Sequence, residues 1–286
     1  MARGSVRFLV FDVESVADGA LLARVRYPRE SLEPAQAIAR YRQELQADFG
    51  TDFIPYTYQV PISTVVAKVD VAFHLLDIVA LDEPAYRSPV ITKDFWRGWE
   101  YYERPTLVTF NGRSFDLPLM ELAAFRYGIS VPTWFAESGK SWDQPRNRYN
   151  VQSHLDLHEL LVNFGATRFN GGLNLAANLL GKPGKIDVQG YMVQDLYDQG
   201  ELQQINDYCR CDVLDSYFVF LRTRVLVGQL SLEDEQERLA ATKAWLTERA
   251  DQTPAYRIYL DNWGDWQNPW RDANATDSTP PVSDAP

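Results

Sequence analysis

The chain has 286 residues, 45% of them hydrophobic, and a formal net charge of −11. Such a length and apolar content suffice for a full-sized core, no stretch approaches the roughly 20 consecutive apolar residues of a membrane-spanning helix, and two cysteines exclude a disulfide-built scaffold. The acidic balance argues against a tight grip on duplex nucleic acid, because non-specific binding to that polyanion is carried by Lys and Arg.

The opening Met-Ala-Arg-Gly-Ser-Val-Arg leads into a strand rather than into the apolar stretch of a signal peptide, so a cytoplasmic location is expected. Residues 6–12 are apolar, β-branched and aromatic, the pattern of a buried strand ending at Asp12. Strand side chains alternate, so Asp12 and Glu14 share one face while Phe11 and Val13 enter the opposite layer. Residues 33–49 carry apolar side chains at helical intervals and are expected to form a helix inside an insertion spanning about 17–60. Pro55 and Pro61 bracket a loop ahead of two strands, about 62–70 and 71–81, that read as a hairpin. An aromatic-rich helix follows at about 91–102. The strand Thr106 to Phe110 passes through Asn111-Gly112 into a helix at about 116–127, which places Asp116 at a helix start. The polar, turn-rich stretch 137–150 reads as a surface loop, followed by a fifth strand at 151–157.

Short helices are expected at about 172–181 and 192–198, separated by a basic loop, Gly181-Lys182-Pro183-Gly184-Lys185. The helix 201–227 carries Tyr208 and Asp212 four residues apart and therefore on one face. Cys209 and Cys211 on the same helix project about 200° from one another, which forbids a disulfide and marks them as reduced thiols. From Leu232 to near Ala250 another helix opens with acids at its positive end. Tyr256, Tyr259, Trp263, Trp266 and Trp270 are expected to pack back on the domain or on a partner. Residues 272–286, rich in Asp, Ser, Thr and Pro, are expected to be disordered. The reading is one domain over 1–230, a helical and aromatic extension over 231–271, and a tail.

Three short motifs hold the chemistry: Phe11-Asp12-Val13-Glu14, Asn111-Gly112-Arg113-Ser114-Phe115-Asp116 and Tyr208-Cys209-Arg210-Cys211-Asp212. Singly, each has an ordinary structural role, as strand-end acids, a turn pair before a helix cap, or a helix-face hydrogen bond. Together they supply four carboxylates and a phenol. Hard divalent cations prefer carboxylate oxygens, and a pair of such ions clamps a phosphodiester undergoing in-line displacement. Two carboxylates at the end of an apolar strand repel one another unless solvent or a cation intervenes. His154, Asp156 and His158 offer zinc-type donors but straddle a strand-to-helix junction, where side chains diverge; Asp156 reads better as an acid supporting the site.

In order, the motifs resemble the first, second and third exonuclease motifs of the DEDD superfamily of 3′-to-5′ exonucleases, in the subgroup with tyrosine in the third motif. That form is seen in the proofreading domains of family B DNA polymerases and in their stand-alone bacterial relatives. The resemblance covers about residues 6–225 and takes in Leu173 to Lys185, which looks like the leucine-rich helix and glycine-lysine turn of the stand-alone group. The element order matches an α/β, ribonuclease H-like mixed five-stranded sheet flanked by helices, with the site where strand ends and helix starts converge.

The resemblance implies a metal-dependent 3′-to-5′ exonuclease acting on single-stranded DNA and releasing nucleoside 5′-monophosphates. It implies that Asp12, Glu14, Asp116 and Asp212 hold two Mg²⁺ or Mn²⁺ ions, with Asp12 bridging them, and that Tyr208 orients the attacking water. Asn111 and Phe115 match positions that contact the terminal nucleotides, Phe115 being equally readable as core. Lys182 and Lys185 are candidates for phosphate contact, as are Arg113, Arg146 and Arg148. Ser15 stands where the polymerase motif usually has Thr, and no polymerase palm or thumb follows, so whatever delivers the substrate is missing or is a separate protein, for which the acidic surface and the extension are the candidate contact regions. The alternatives are an exoribonuclease and a catalytically silent partner-binding module on the same fold.

Overall fold

In the computed structural model, which describes residues 5–186 and 190–270, the first strand, β1 (Phe8–Ala17), runs past Asp12 instead of ending there. Its apolar alternation continues through Val13 and Val16, and an antiparallel neighbour pairs with it as far as Ala17, with a register shift between Glu14 and Ser15. The two acids are therefore interior to a strand. The insertion contains two helices, α1 (Gly19–Arg26) and α2 (Pro34–Phe49). The short α1 was not expected from the sequence; Asp18 starts it by accepting the Leu21 amide. A reciprocal cap between Glu33 and Gln36 starts α2, and Gly50 at φ 70° ends it. Leu22, Tyr27, Ala37, Tyr41, Leu45 and Ile54 bind this pair into a small core of its own.

The hairpin forms as expected from β2 (Gln59–Val69) and β3 (Leu75–Ala80). After α3 (Ser88–Tyr101) come β4 (Thr106–Thr109), α4 (Asp116–Tyr127) and β5 (His154–Asp156), the last shorter than the expected strand because Asn150 to Ser153 turn on themselves. Then follow α5 (Leu157–Leu161), α6 (Gly172–Asn178), α7 (Val193–Asp198), α8 (Leu202–Leu226), α9 (Leu232–Thr247) and α10 (Pro254–Asp261). The strand order is β3-β2-β1-β4-β5, with β1 antiparallel to β2 and parallel to β4. This is an α/β, ribonuclease H-like mixed sheet of five strands with helices flanking it.

Strand alternation sorts the two layers. Leu9, Phe11 and Val13 pack against Phe95, Trp96 and Trp99 of α3 and Met120 of α4. Val10, Val65, Ala67 and Val108 pack against α8, whose buried face includes Cys209, Val213, Tyr217 and Phe220. Each large apolar side chain so buried stabilises by about 1.5–3 kcal/mol.

Helix α8 is covered on its outer side by the segment that follows it. Leu246, Ala250, Ala255, Tyr256 and Tyr259 join the same core, Trp263 packs against it, and the Tyr259 hydroxyl donates to Asp215 Oδ1 at 2.6 Å. The aromatic stretch thus packs back on the domain, with Trp266 lying against the Arg222 guanidinium at 4.3 Å, while Trp270 stays exposed. The tail at 272–286 lies outside the described residues. Among the described residues no helix is long and apolar enough to cross a membrane.

Candidate active site

Two packed layers meet at the outer half of β1. β4 pairs with β1 only through Val10, so beyond that point β1 has no strand on this side. The vacated edge is taken by a side chain: the Val13 amide donates to Asp116 Oδ1 at 3.0 Å. Asp116 arrives there because β4 ends at Thr109 and the chain turns sharply into α4. Asn111 takes the left-handed conformation at φ 64°, which Asn tolerates. A Cβ at Gly112 would lie 2.5 Å from the Thr109 side chain, so the turn needs glycine.

That turn is held from below by Asp156. Its Oδ1 accepts the Asn111 amide at 2.9 Å and its Oδ2 accepts the Arg113 amide at 2.8 Å, while the same carboxylate caps α5 through the His158 and Glu159 amides. Asp156 therefore supports the second motif rather than joining a zinc set. His154 is fully buried with Nε2 on the Thr109 hydroxyl at 2.8 Å.

Asp12 and Glu14 are half-buried on the α8 side of β1. Their carboxylates and Cys209 Sγ lie within 4.8 Å of one another. The thiol sits 3.4 Å from the Asp12 carbonyl and 3.6 Å from Asp12 Oδ2. Cys209 was read from the sequence only for disulfide potential; its position about 100° around α8 from Tyr208 is the signal that it faces β1. Asp116 and Asp212, both buried, stand outside this tightest group but close enough that their charges act on it. Tyr208 is buried one turn before Asp212, on the same face of α8, and the charges of Asp212, Glu14 and Asp12 act on its phenol.

The electrostatics follow from this crowding. Burial first and the Asp116 charge second push Asp12 up to about 8. Burial raises Asp116 to about 7, with Asp156 and Asp212 adding repulsion, and burial together with Asp12 raises Asp212 to about 7. Glu14 is driven well above the usual carboxylate range by burial and by Asp12, Asp212 and Asp116. Tyr208 is held firmly as the neutral phenol by burial and the adjoining carboxylates. The converging ligand atoms are two carboxylates and the Cys209 thiol, with the Asp116 and Asp212 carboxylates close enough to repel them, and a cation bound among these acids would relieve that repulsion.

The basic candidates divide. Lys185 is exposed, and its charge lowers the pKa of Asp12, Glu14 and Asp212. Lys182, expected to reach phosphate, does not: it is 2% exposed, donates to the Gly264 carbonyl at 2.9 Å and lies 4.0 Å over the Trp263 ring. The segment after α10 folds back over its loop and turns the lysine inward. Arg113 and Arg148 are paired with Glu159, and Arg146 with Glu121. Asn111 is exposed and Phe115 half-buried at the start of α4.

Residues 51–263 match the model of a family described as predicted 3′-5′ exonucleases related to the exonuclease domain of PolB. The matched span contains the second and third motifs and helices α9 and α10, and begins after Asp12 and Glu14. No curated protein matches the chain.

Proposed function

This chain belongs to that exonuclease family and is an enzyme of the 3′-5′ exonuclease class; from that premise we propose that it is a metal-dependent nuclease that trims single-stranded DNA from the 3′ end. The observation that supports this reading is the gathering of Asp12, Asp116 and Asp212 about Glu14, from one strand and two helices that are remote in sequence, with Tyr208 beside Asp212, Glu14 and Asp12.

Asp12, Glu14, Asp116 and Asp212 would hold two divalent cations, Mg²⁺ or Mn²⁺, with Asp12 shared. Such ions, when bound, supply Lewis acidity at the phosphate and acidify the attacking water, so no histidine base is needed. Tyr208, kept as a phenol by burial and the adjoining carboxylates, orients that water by hydrogen bonding. The water oxygen bonds to phosphorus, the bond to the upstream 3′ oxygen breaks, and that oxygen leaves with a proton. The products are a nucleoside 5′-monophosphate and a strand shortened by one residue. Asn111 and Phe115 would contact the terminal nucleotides, and Lys185 a backbone phosphate.

The catalytic unit is proposed to span residues 1–230, with 231–271 as an extension that also offers a surface to a protein partner able to supply nucleic-acid grip. The unpaired, buried thiols of Cys209 and Cys211 suit a reducing cytoplasm.

The experiment is to incubate the protein with 5′-labelled single-stranded DNA and RNA of matched sequence in Mg²⁺, Mn²⁺ or EDTA, beside Asp12→Ala. A metal-dependent ladder that shortens from the 3′ end, favours DNA and is lost in the variant is the expected result. A ladder on RNA alone reassigns the enzyme as an exoribonuclease, and a ladder that persists in Asp12→Ala refutes the site.

A further inference from the structure

The segment between α2 and β2 ties together the flanks of two motifs. At its end, the Ser15 hydroxyl, next to Glu14, hydrogen-bonds Gln59 Oε1, and the Gln59 amide nitrogen donates back to the Ile54 carbonyl. Ile54 points inward and is 4% exposed, anchored in the small core of α1 and α2. Its neighbour Phe53 points outward and is 58% exposed. The Phe53 ring lies 5.7 Å from that of Phe115, tilted by 52°, and Phe115 immediately precedes Asp116. The segment thus touches the residue after Glu14 at one end and the residue before Asp116 at the other, and the Phe53 ring beside Phe115 is open to solvent.

An exposed phenylalanine contributes little to the core, and here the backbone is already fixed by Ile54 and Gln59. The chain also carries a net charge of −11, which weakens any binding that relies on phosphate contacts alone. Base stacking does not depend on net charge, and aromatic side chains bind unpaired bases through it.

We infer that Phe53, with Phe115, forms the stacking face for unpaired nucleobases near the 3′ end of the substrate, making Phe53 a substrate-positioning residue contributed by the insertion. This inference rests on the exonuclease reading above. Phe53 touches none of the four acids' hydrogen bonds and acts on where the strand lies.

The test compares wild type, Phe53→Ala and Phe53→Trp on a single-stranded DNA oligonucleotide and on one whose last two positions are abasic. Phe53→Ala is expected to raise KM about tenfold on the normal strand with kcat within about twofold, and Phe53→Trp to retain the wild-type KM. The abasic strand, which forfeits stacking on both rings, should raise the wild-type KM at least as much, and Phe53→Ala should add nothing further there. An unchanged KM in Phe53→Ala, or a rise of equal size on the abasic strand, overturns the stacking role while leaving the exonuclease reading intact. Wild type that cleaves neither strand, yet is stabilised by Mn²⁺, overturns both readings at the level of the substrate.

Discussion

The amide of Val13 donates to Oδ1 of Asp116 across 103 residues of sequence, at 3.0 Å. The donor lies between the two acids of the first motif and the acceptor is the acid of the second. One hydrogen bond therefore sets the spacing of two motifs, and it separates two roles of Asp116 that substitution can tell apart. Asp116→Asn keeps an acceptor for Val13 and should unfold in urea within about 1 kcal/mol of wild type, whereas Asp116→Ala strands a buried amide and should lose about 1–3 kcal/mol. Both should cut DNA at least about 10³-fold more slowly if the proposed site is right, because either removes a carboxylate from the proposed metal set. Equal stability of the two variants would show that the bond does not hold the motif.

Acid crowding makes a stability prediction with a definite sign. Asp12 sits at about 8 and Asp116 and Asp212 at about 7 in the folded protein, against about 3.9 for an unfolded aspartate. Between those limits the native state holds more protons than the unfolded state, so stability falls as pH rises through the window. In EDTA the melting temperature should drop from pH 5 to pH 8, and Mn²⁺ should raise it most at pH 8. Asp212→Ala removes one of the repelling charges and should flatten the EDTA profile. A profile that climbs with pH would contradict the crowding.

Tyr208 is expected to be a helper and not a ligand. Tyr208→Phe deletes only the hydroxyl proposed to orient the water, so kcat should fall by about 10- to 100-fold, with Mn²⁺ stabilisation retained. An inert variant that no longer gains stability from Mn²⁺ would place Tyr208 in the metal set.

The two lysines of one loop should behave as opposites. Lys182→Met removes the bond to Gly264 and the ammonium over Trp263, and should cost about 1–3 kcal/mol of stability with kcat/KM little changed. Lys185→Ala should leave the melting temperature alone, raise KM a few-fold and reduce the salt dependence of binding. Thermal melts alongside steady-state rates at two salt concentrations check both.

Much of the arrangement was legible from local pattern. Alternation along β1 puts Asp12 and Glu14 on one face and Phe11 and Val13 on the other, the four-residue spacing joins Tyr208 to Asp212, and Asn111-Gly112 announces the turn that delivers Asp116. What escaped was tertiary. Nothing near Lys182 in sequence shows that residues 254–264 return to bury it, since its partner is 82 residues away. The length of β1 is decided by pairing with β2, not by its own residues alone. Phe53 sits in a stretch without periodicity, where only the fold reveals which ring it meets.

The return of Leu246 to Trp263 over α8 bears on the order in which the protein is made. Helix α8 is complete as sequence at Leu226, yet its outer side, the partner of Asp215 and the cover of Lys182 are supplied only by residues that follow. A nascent chain released as far as Asp212 already contains every acid of the site, but the helix presenting the third motif stays half-clad until Trp263 has left the ribosome. The outer support of the helix that carries the third motif is thus expected to be completed late, only after Trp263 has followed it.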